Sequence, residues 1–324
     1  MATKSMAKIS LEPGKPMVYE EVTVDDPKGR EVLIQVKASG ICHSDMTAAT
    51  LPTGWPTPAV LGHEIAGVVV AAGPAATRLK VGDRVVACEV EHCGACPDCV
   101  RGRIYRCQDP HAIFRGPDET PRITWKGEGV SQFSGIGGFM EYALLHENAV
   151  MAIPDGLPFP QAAIMGCGVA TGFGAVVNTA GVRLGDSVAV IGCGGVGLNA
   201  IQAARLVGAR RVIAVDLNEN ALAMAKKLGA TDLVDSSKTD PVEAVMEITG
   251  VGADYSFEMV GKMETYAQAR EMVRPTGITY LAGIPHPEDK IELNPLFDIM
   301  FAKKSLAMTF MGSCNFHYDL ALIA

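Results

Sequence analysis

The sequence predicts an α/β chain, with a strand-rich first half followed by a doubly wound parallel sheet. Three observations carry this. Between Met17 and Val90, short β-branched runs are separated by Gly, Pro and Asp. After Pro154 strands alternate with helical segments, the pattern of a parallel sheet wound on both faces. A length of 324 residues exceeds one ordinary domain and leaves room for two cores.

In the first half the expected strands are Glu31 to Ala38, Ile65 to Ala71 and Asp83 to Ala87. From His92 to Gly138 the chain has little periodicity, and a loop of that length calls for something to pin it. In the second half strands are expected at Ser187 to Ile191, Arg211 to Asp216, Asp232 to Val234, Asp254 to Met259, Ile278 to Ala282 and Ser305 to Phe310. One helix runs through Leu206 and another to Leu228, where Gly229 supplies the C-terminal glycine.

Composition narrows the function classes. Apolar residues make up 48% and charged residues 20%, as in a soluble globular protein. The net charge of −8 argues against a nucleic-acid surface, so any anionic ligand must be held by local backbone donors. The start lacks a secretory signal pattern, and no run is expected to span a bilayer, so no membrane partner and a cytoplasmic location are expected. Nine cysteines in a reducing compartment point to metal binding rather than disulfides.

Cys93, Cys96, Cys99 and Cys107 form C-x2-C-x2-C-x7-C inside the long loop. Four thiolates at roughly 2.3 Å complete a tetrahedral zinc and leave no open position, so this site is expected to be structural. An iron–sulfur cluster or four unconnected thiols are the alternatives.

Residues 187–197 read SVAVIGCGGVG, a buried strand running into G-x-G-x-x-G at Gly192, Gly194 and Gly197. Gly192 permits the tight turn, Gly194 lets backbone approach a pyrophosphate, and Gly197 allows helix and strand to pack closely. With Gly195 and Val196 these residues form the expected phosphate cradle. The next strand ends in Asp216, where a carboxylate can accept both ribose hydroxyls of NAD and repel a 2′-phosphate. The alternative for Asp216 is an N-cap of the helix that follows. Cys193 reads as a small filler of the turn, with a redox-sensing thiol as the alternative.

Two further segments, G-I-C-H-S-D at residues 40–45 and G-H-E at residues 62–64, carry zinc-capable side chains but do not by themselves make a site. Together with the four cysteines, the glycine motif and Asp216, they resemble the zinc-dependent medium-chain alcohol dehydrogenases over nearly the whole chain. The resemblance implies a GroES-like catalytic domain over residues 1–168, a Rossmann domain over 169–311, and the start of a return segment over 312–324. It implies a catalytic zinc held by Cys42, His63 and Cys167, besides the structural zinc, hence two zinc ions per chain with NAD. Three protein ligands leave a fourth position open. There an alcohol would bind as alkoxide near neutral pH and pass hydride to the nicotinamide, the reverse reaction reducing an aldehyde or ketone.

The other roles come from the same resemblance. Ser44 would accept the alcohol proton, Asp45 would orient His63, and Glu64 would lie near the metal as a transient ligand. His43 would touch the cofactor pyrophosphate, and Thr171 would pack near the nicotinamide. The alternatives are a turn-capping serine, a solvated histidine and a helix-packing threonine. Glu89 and Phe133 would stand near the substrate, Glu89 favouring polar or cationic substrates unless it is a solvated surface charge. Many relatives carry a histidine at the position of Thr47 to finish a proton relay, so proton exit here is expected to use water or another base. Relatives also continue beyond Ala324 with a segment that bears a pyrophosphate-binding arginine. The resemblance implies a homodimer or higher homo-oligomer through the last strands, the run SLAMTF suiting such a seam, with a buried strand as the alternative. Glutathione-dependent formaldehyde oxidation shares these motifs, and a nonenzymatic zinc and NAD(H) sensor is the alternative from another class.

Overall fold

Strand Glu31–Ser39 begins with four buried residues, Glu31 to Ile34, and its β-branched and long side chains suit a pleated surface. In the computed structural model, which describes residues 2–324, this strand lies inside a five-stranded antiparallel sheet. The order is Tyr142–His146, Glu31–Ser39, Ile65–Ala72, Arg84–Ala87, Val150–Ala152. A second sheet is built on Thr3–Ser10 paired with Val18–Val24, with four pieces of two or three residues added at its sides. Ala7, Ile9, Val22 and Val24 of that sheet and Val32, Ile34, Val69 and Leu144 of the first share one buried cluster, the common core of the unit. The chain divides into a unit of residues up to Cys167 with Asn315–Ala324, and a unit of Gly168–Cys314.

The stretch from His92 to Gly138 is not structureless. It holds a helical turn Pro97–Val100, 3-10 turns at Ile104–Arg106, Pro110–Ile113 and Phe133–Gly135, and short strands Ile123–Trp125, Glu128–Gly129 and Ser131–Gln132. Elements of two to four residues are too short to show periodicity. Charge pins this segment as well as cysteine. The buried Glu31 carboxylate accepts from Arg115 Nη2 at 2.5 Å and from Arg122 Nε at 2.7 Å, and Arg115 also reaches Asp25. Burial alone would raise the Glu31 carboxyl, but the two guanidinium groups outweigh it and hold it low.

The final helix, Phe316–Ile323, packs on the first unit with Phe316 and Leu320 fully buried. His317 Nε2 donates to the Asn148 carbonyl at 3.0 Å, and Asn148 Nδ2 donates to the His92 carbonyl at 2.9 Å, next to the first loop cysteine. Burial first, then nearby Arg charges, pull His317 and His146 down to about 4. Both are neutral in the fold at pH values where unfolded histidine, near 6.5, takes a proton. The unfolded state therefore binds more protons between about 6.5 and 4, and stability should fall as pH falls through that window, by about 1–2 kcal/mol per histidine. Melting temperature against pH checks this, and a flat profile from pH 7 to 4.5 would count against it.

The second unit has one all-parallel sheet, in the order Asp232–Asp235, Arg211–Asp216, Ser187–Ile191, Ala253–Glu258, Val273–Leu281, Ser305–Met308. Along Ser187–Ile191, Val188 and Val190 enter one core cluster and Ala189 and Ile191 the other, so the strand is covered on both faces. The winding reverses between Ser187–Ile191 and Ala253–Glu258, which opens a crevice at the carboxyl ends of those strands. Ser305–Met308 is the outer strand, with Met308 67% exposed rather than buried.

One expectation is corrected. The helical run Phe159–Ala180 spans 22 residues at mean hydropathy 1.4, long and apolar enough by length and composition to cross a bilayer. Its Ala, Gly and Val content hid it as a candidate. Two-thirds of its most apolar window is buried inside the protein, as in a core helix.

Candidate functional site

Cys42 stands at the N-cap of the short helix His43–Thr50, and Asp45 fixes it there. The buried Asp45 carboxylate accepts from Cys42 N at 3.0 Å, Gly62 N at 2.9 Å and His63 Nδ1 at 3.0 Å. One side chain thus ties together the two loops and turns His63 Nε2 inward. Gly62 has φ +89, and a Cβ there would lie 2.5 Å from the Phe139 ring, so the turn before His63 requires glycine. Cys167 lies on a π-helical turn, Met165–Val169. That turn sits against the end of strand Arg84–Ala87 so closely that a Cβ on Gly166 would be 1.9 Å from the Ala87 carbonyl.

The donor atoms of Cys42, His63 and Cys167 all lie within 4.8 Å of one another, and the two sulfurs are 4.0 Å apart. Zinc–sulfur bonds of about 2.3 Å in a tetrahedron place sulfurs about 3.8 Å apart, so the pair fits a shared zinc. The electrostatics agree. The Cys42 thiol is drawn down to about 3, first by its hydrogen bond with Cys167, while that contact and burial drive Cys167 well above 9. Burial would lower His63, but hydrogen bonds to Asp45 and Cys42 and the charge of Glu89 outweigh it and raise it to about 11. Two thiols and an imidazole gathered beside the Asp45 and Glu89 carboxyl groups make a site of negative potential, which suits a bound cation.

Around this triad, Ser44 Oγ is 3.4 Å from His63 Nε2. Thr47 Oγ1 donates to the His43 carbonyl at 3.1 Å, so its hydroxyl serves its own helix. His43 is exposed. Glu64 is buried, its carboxylate packed beside Gly40, where a Cβ would be 2.1 Å from Oε2. Glu89 Oε1 accepts from Cys167 Sγ at 3.5 Å and lies 3.8 Å from His63 Nε2. The Phe133 ring meets His63 edge-on at 5.8 Å, and Trp55 meets Phe133 at 5.2 Å. Sequence reading missed Trp55. Its signal was an aromatic residue inside the Pro- and Gly-rich loop LPTGWPTP, a poor place for a core side chain.

The four loop cysteines form the other group of metal-capable donors among the described residues, again all within 4.8 Å. Cys93 and Cys99 sulfurs are 3.9 Å apart, Cys96 and Cys107 sulfurs 4.0 Å. Backbone N–H groups of Ala95 and Cys96 donate to Cys93 Sγ, and those of Cys93 and Asp109 to Cys107 Sγ. Such donors favour thiolate, and the tetrahedral spacing fits a closed zinc site.

In the second unit Gly192 has φ +92 and turns the chain out of its strand. A Cβ on Gly197 would stand 1.8 Å from the Gly192 carbonyl, which explains the close strand–helix packing. Gly194 and Gly195 face open space at the N-terminus of helix Gly195–Leu206, and Val196 follows in its first turn. Asp216 Oδ2 accepts from Cys193 N at 2.7 Å and Oδ1 from Asn218 N at 2.9 Å. The helix cap is Asn218, whose side chain accepts from Asn220 N and Ala221 N, so Asp216 is not spent on capping. Cys193 is buried with its thiol toward the Val215 carbonyl. Thr171 Oγ1 donates to Met311 Sδ at 3.6 Å.

Comparison with known proteins places both halves. A model described as alcohol dehydrogenase GroES-like domain matches residues 28–155, and one described as zinc-binding dehydrogenase matches residues 195–324. The chain is 37% identical over 318 residues to an S-(hydroxymethyl)glutathione dehydrogenase of Synechocystis sp., covering 95% of this chain and 85% of that protein. Among solved structures, an alcohol dehydrogenase zinc-binding domain protein from Burkholderia ambifaria is 33% identical with a TM-score of 0.92, covering 99% and 88% of the two chains. Benzyl alcohol dehydrogenase from Acinetobacter calcoaceticus is 31% identical with a TM-score of 0.89, again covering 99% and 88%.

Proposed function

This chain belongs to the zinc-dependent medium-chain alcohol dehydrogenase family and is an oxidoreductase, and we propose that it moves hydride between an alcohol and NAD at the Cys42, His63 and Cys167 cluster. The observation that carries the site is the convergence of those three donors within 4.8 Å from three separate segments. A zinc ion held there supplies Lewis acidity toward the alcohol oxygen, and a second zinc at Cys93, Cys96, Cys99 and Cys107 supplies stability.

The chain's own residues do the rest. Asp45 holds His63 in one orientation and tautomer. Ser44, beside His63, receives the hydroxyl proton as the carbinol carbon gives up hydride. Thr47 carries no basic group and its hydroxyl donates to the His43 carbonyl, so proton exit falls to water or another base. Phe133 and Trp55 form an aromatic wall next to His63, which supports aryl-substituted alcohols as substrates. The open backbone at Gly194, Gly195 and Val196 would cradle the pyrophosphate, with His43 and Thr171 as further cofactor contacts.

Asp216 would bind the adenosine ribose and select NAD. Asp216→Ala should raise the KM for NAD about 10- to 100-fold, the worth of one or two charge-assisted hydrogen bonds, with a smaller change in kcat. Initial rates across NAD concentrations measure this, and an unchanged KM would reassign Asp216 to holding the Cys193 turn alone.

A homodimer through the second unit is supported by the outer strand Ser305–Met308 and by exposed Phe297, Met300, Phe301, Met308 and Phe310 beside it. Nine cysteines, most of them gathered in the two metal-capable clusters, suit a reducing cytoplasm. A second substrate reading, S-(hydroxymethyl)glutathione, is favoured by the Synechocystis relative. One assay separates the two: NADH formation from benzyl and aliphatic alcohols beside formaldehyde with and without glutathione, on protein whose zinc content has been measured. Two zinc ions with no NADH from any of these would overturn the proposal.

A further inference from the structure

We infer that Glu89 is a fourth, exchangeable ligand of the metal held by Cys42, His63 and Cys167. This rests on the zinc-site reading above and adds to it a residue that changes how substrate enters. Glu89 lies two residues beyond strand Arg84–Ala87, and the intervening Cys88 is fully buried with its N–H donating to the Ala149 carbonyl at 2.9 Å. The backbone is therefore fixed one residue away, and the Glu89 side chain is 17% exposed. Its Oε1 lies 3.5 Å from Cys167 Sγ and 3.8 Å from His63 Nε2. In a tetrahedral zinc site with ordinary bond lengths, an oxygen stands about 3.5 Å from a ligand sulfur and about 3.3 Å from a ligand nitrogen. Glu89 meets the first spacing and comes within about half an ångström of the second; it stands outside the set of donors mutually within 4.8 Å, so it reaches the metal when its side chain turns toward Cys42.

The other nearby carboxylates are otherwise engaged. Asp45 accepts from Cys42 N, Gly62 N and His63 Nδ1. Glu64, though next to His63, packs its Oε2 into the space left by Gly40. Two thiolates already balance a divalent cation, so a third anion makes the set net negative and its bond to the metal easily exchanged. The resting site is thereby closed, and an incoming alcohol must displace Glu89.

The test uses the full-length protein with Co2+ in the catalytic site and Zn2+ at the four cysteines. Glu89→Gln should alter the visible cobalt absorption bands and speed loss of cobalt from that site to a chelator by tenfold or more, with the zinc at the four cysteines retained. Glu89→Asp should fall between, and melting curves of both variants check that they fold. Unchanged spectra and release rates in Glu89→Gln would overturn the inference, as would the same changes appearing in Glu64→Gln instead. Wild-type protein that holds a single metal, at the four cysteines, would overturn the underlying zinc-site reading as well, and metal analysis tells the two failures apart.

Discussion

Replacing Cys42 with alanine is expected to lower the metal content from two zinc ions per chain to one and to cut kcat/KM by about a thousandfold or more. Loss of the metal removes several kcal/mol of transition-state stabilisation, and about 4 kcal/mol corresponds to that factor. Melting should shift little, because Cys42 lies at the start of an eight-residue helix whose other anchors, Asp45 to Gly62 N and Leu51 N to the Thr47 carbonyl, remain. Metal analysis, NADH kinetics and calorimetry on the same preparation read all three quantities. Full activity in Cys42→Ala would rule out the cluster as the reaction centre.

Cys96→Ser should do the reverse. The second zinc would be lost and the first retained, and the chain should lose stability far more than chemistry. Zinc binding by small cysteine sites is worth about 10–16 kcal/mol, and losing even about 3 kcal/mol of it in a unit of this size lowers melting by about 6–12 °C. The damage should centre on the segment from Cys93 to Cys107, whose backbone donates to the cysteine sulfurs rather than to a sheet. Limited proteolysis should nick there first. An unchanged melting temperature with zinc absent would mean that the Glu31, Arg115 and Arg122 network holds the loop without the metal.

How far the sequence was legible depended on how local the determinant was. Ser187–Ile191 and Arg211–Asp216 were read to the residue, because each is an apolar run ended by a glycine turn or a helix cap. Val273–Leu281 begins five residues before the expected Ile278, since Arg274, Pro275, Thr276 and Gly277 interrupt the apolar pattern and Thr276 takes φ +69. Ala59–Val60 and Ser131–Gln132 could not be read at all. Two residues make a strand only when distant chain arrives to pair with them. The same holds for the site. Four cysteines within fifteen positions announce themselves by spacing, whereas Cys42, His63 and Cys167 are separated by 21 and 104 residues and were united only by resemblance. The direction of the Glu89 carboxylate depends on a side-chain rotamer, which leaves no mark in the sequence.

The π-helical turn that carries Cys167 has a consequence for how this chain tolerates change. Such a turn holds one more residue than an α-turn, and each residue of an α-helix rotates the following side chains by about 100°. Deleting one residue between Phe159 and Gly166 would let the helix relax to regular α-geometry and swing the thiol to another side. The turns beyond it would keep their faces, because a π-turn takes up its extra residue locally. A loop such as residues 116–120 can gain or lose a residue and keep its ends in place, but this helix behaves as a ratchet with a single permitted tooth. Length variation among descendants of this gene should therefore gather in the loops and skip this turn, and a one-residue deletion there should cost the metal by moving Cys167.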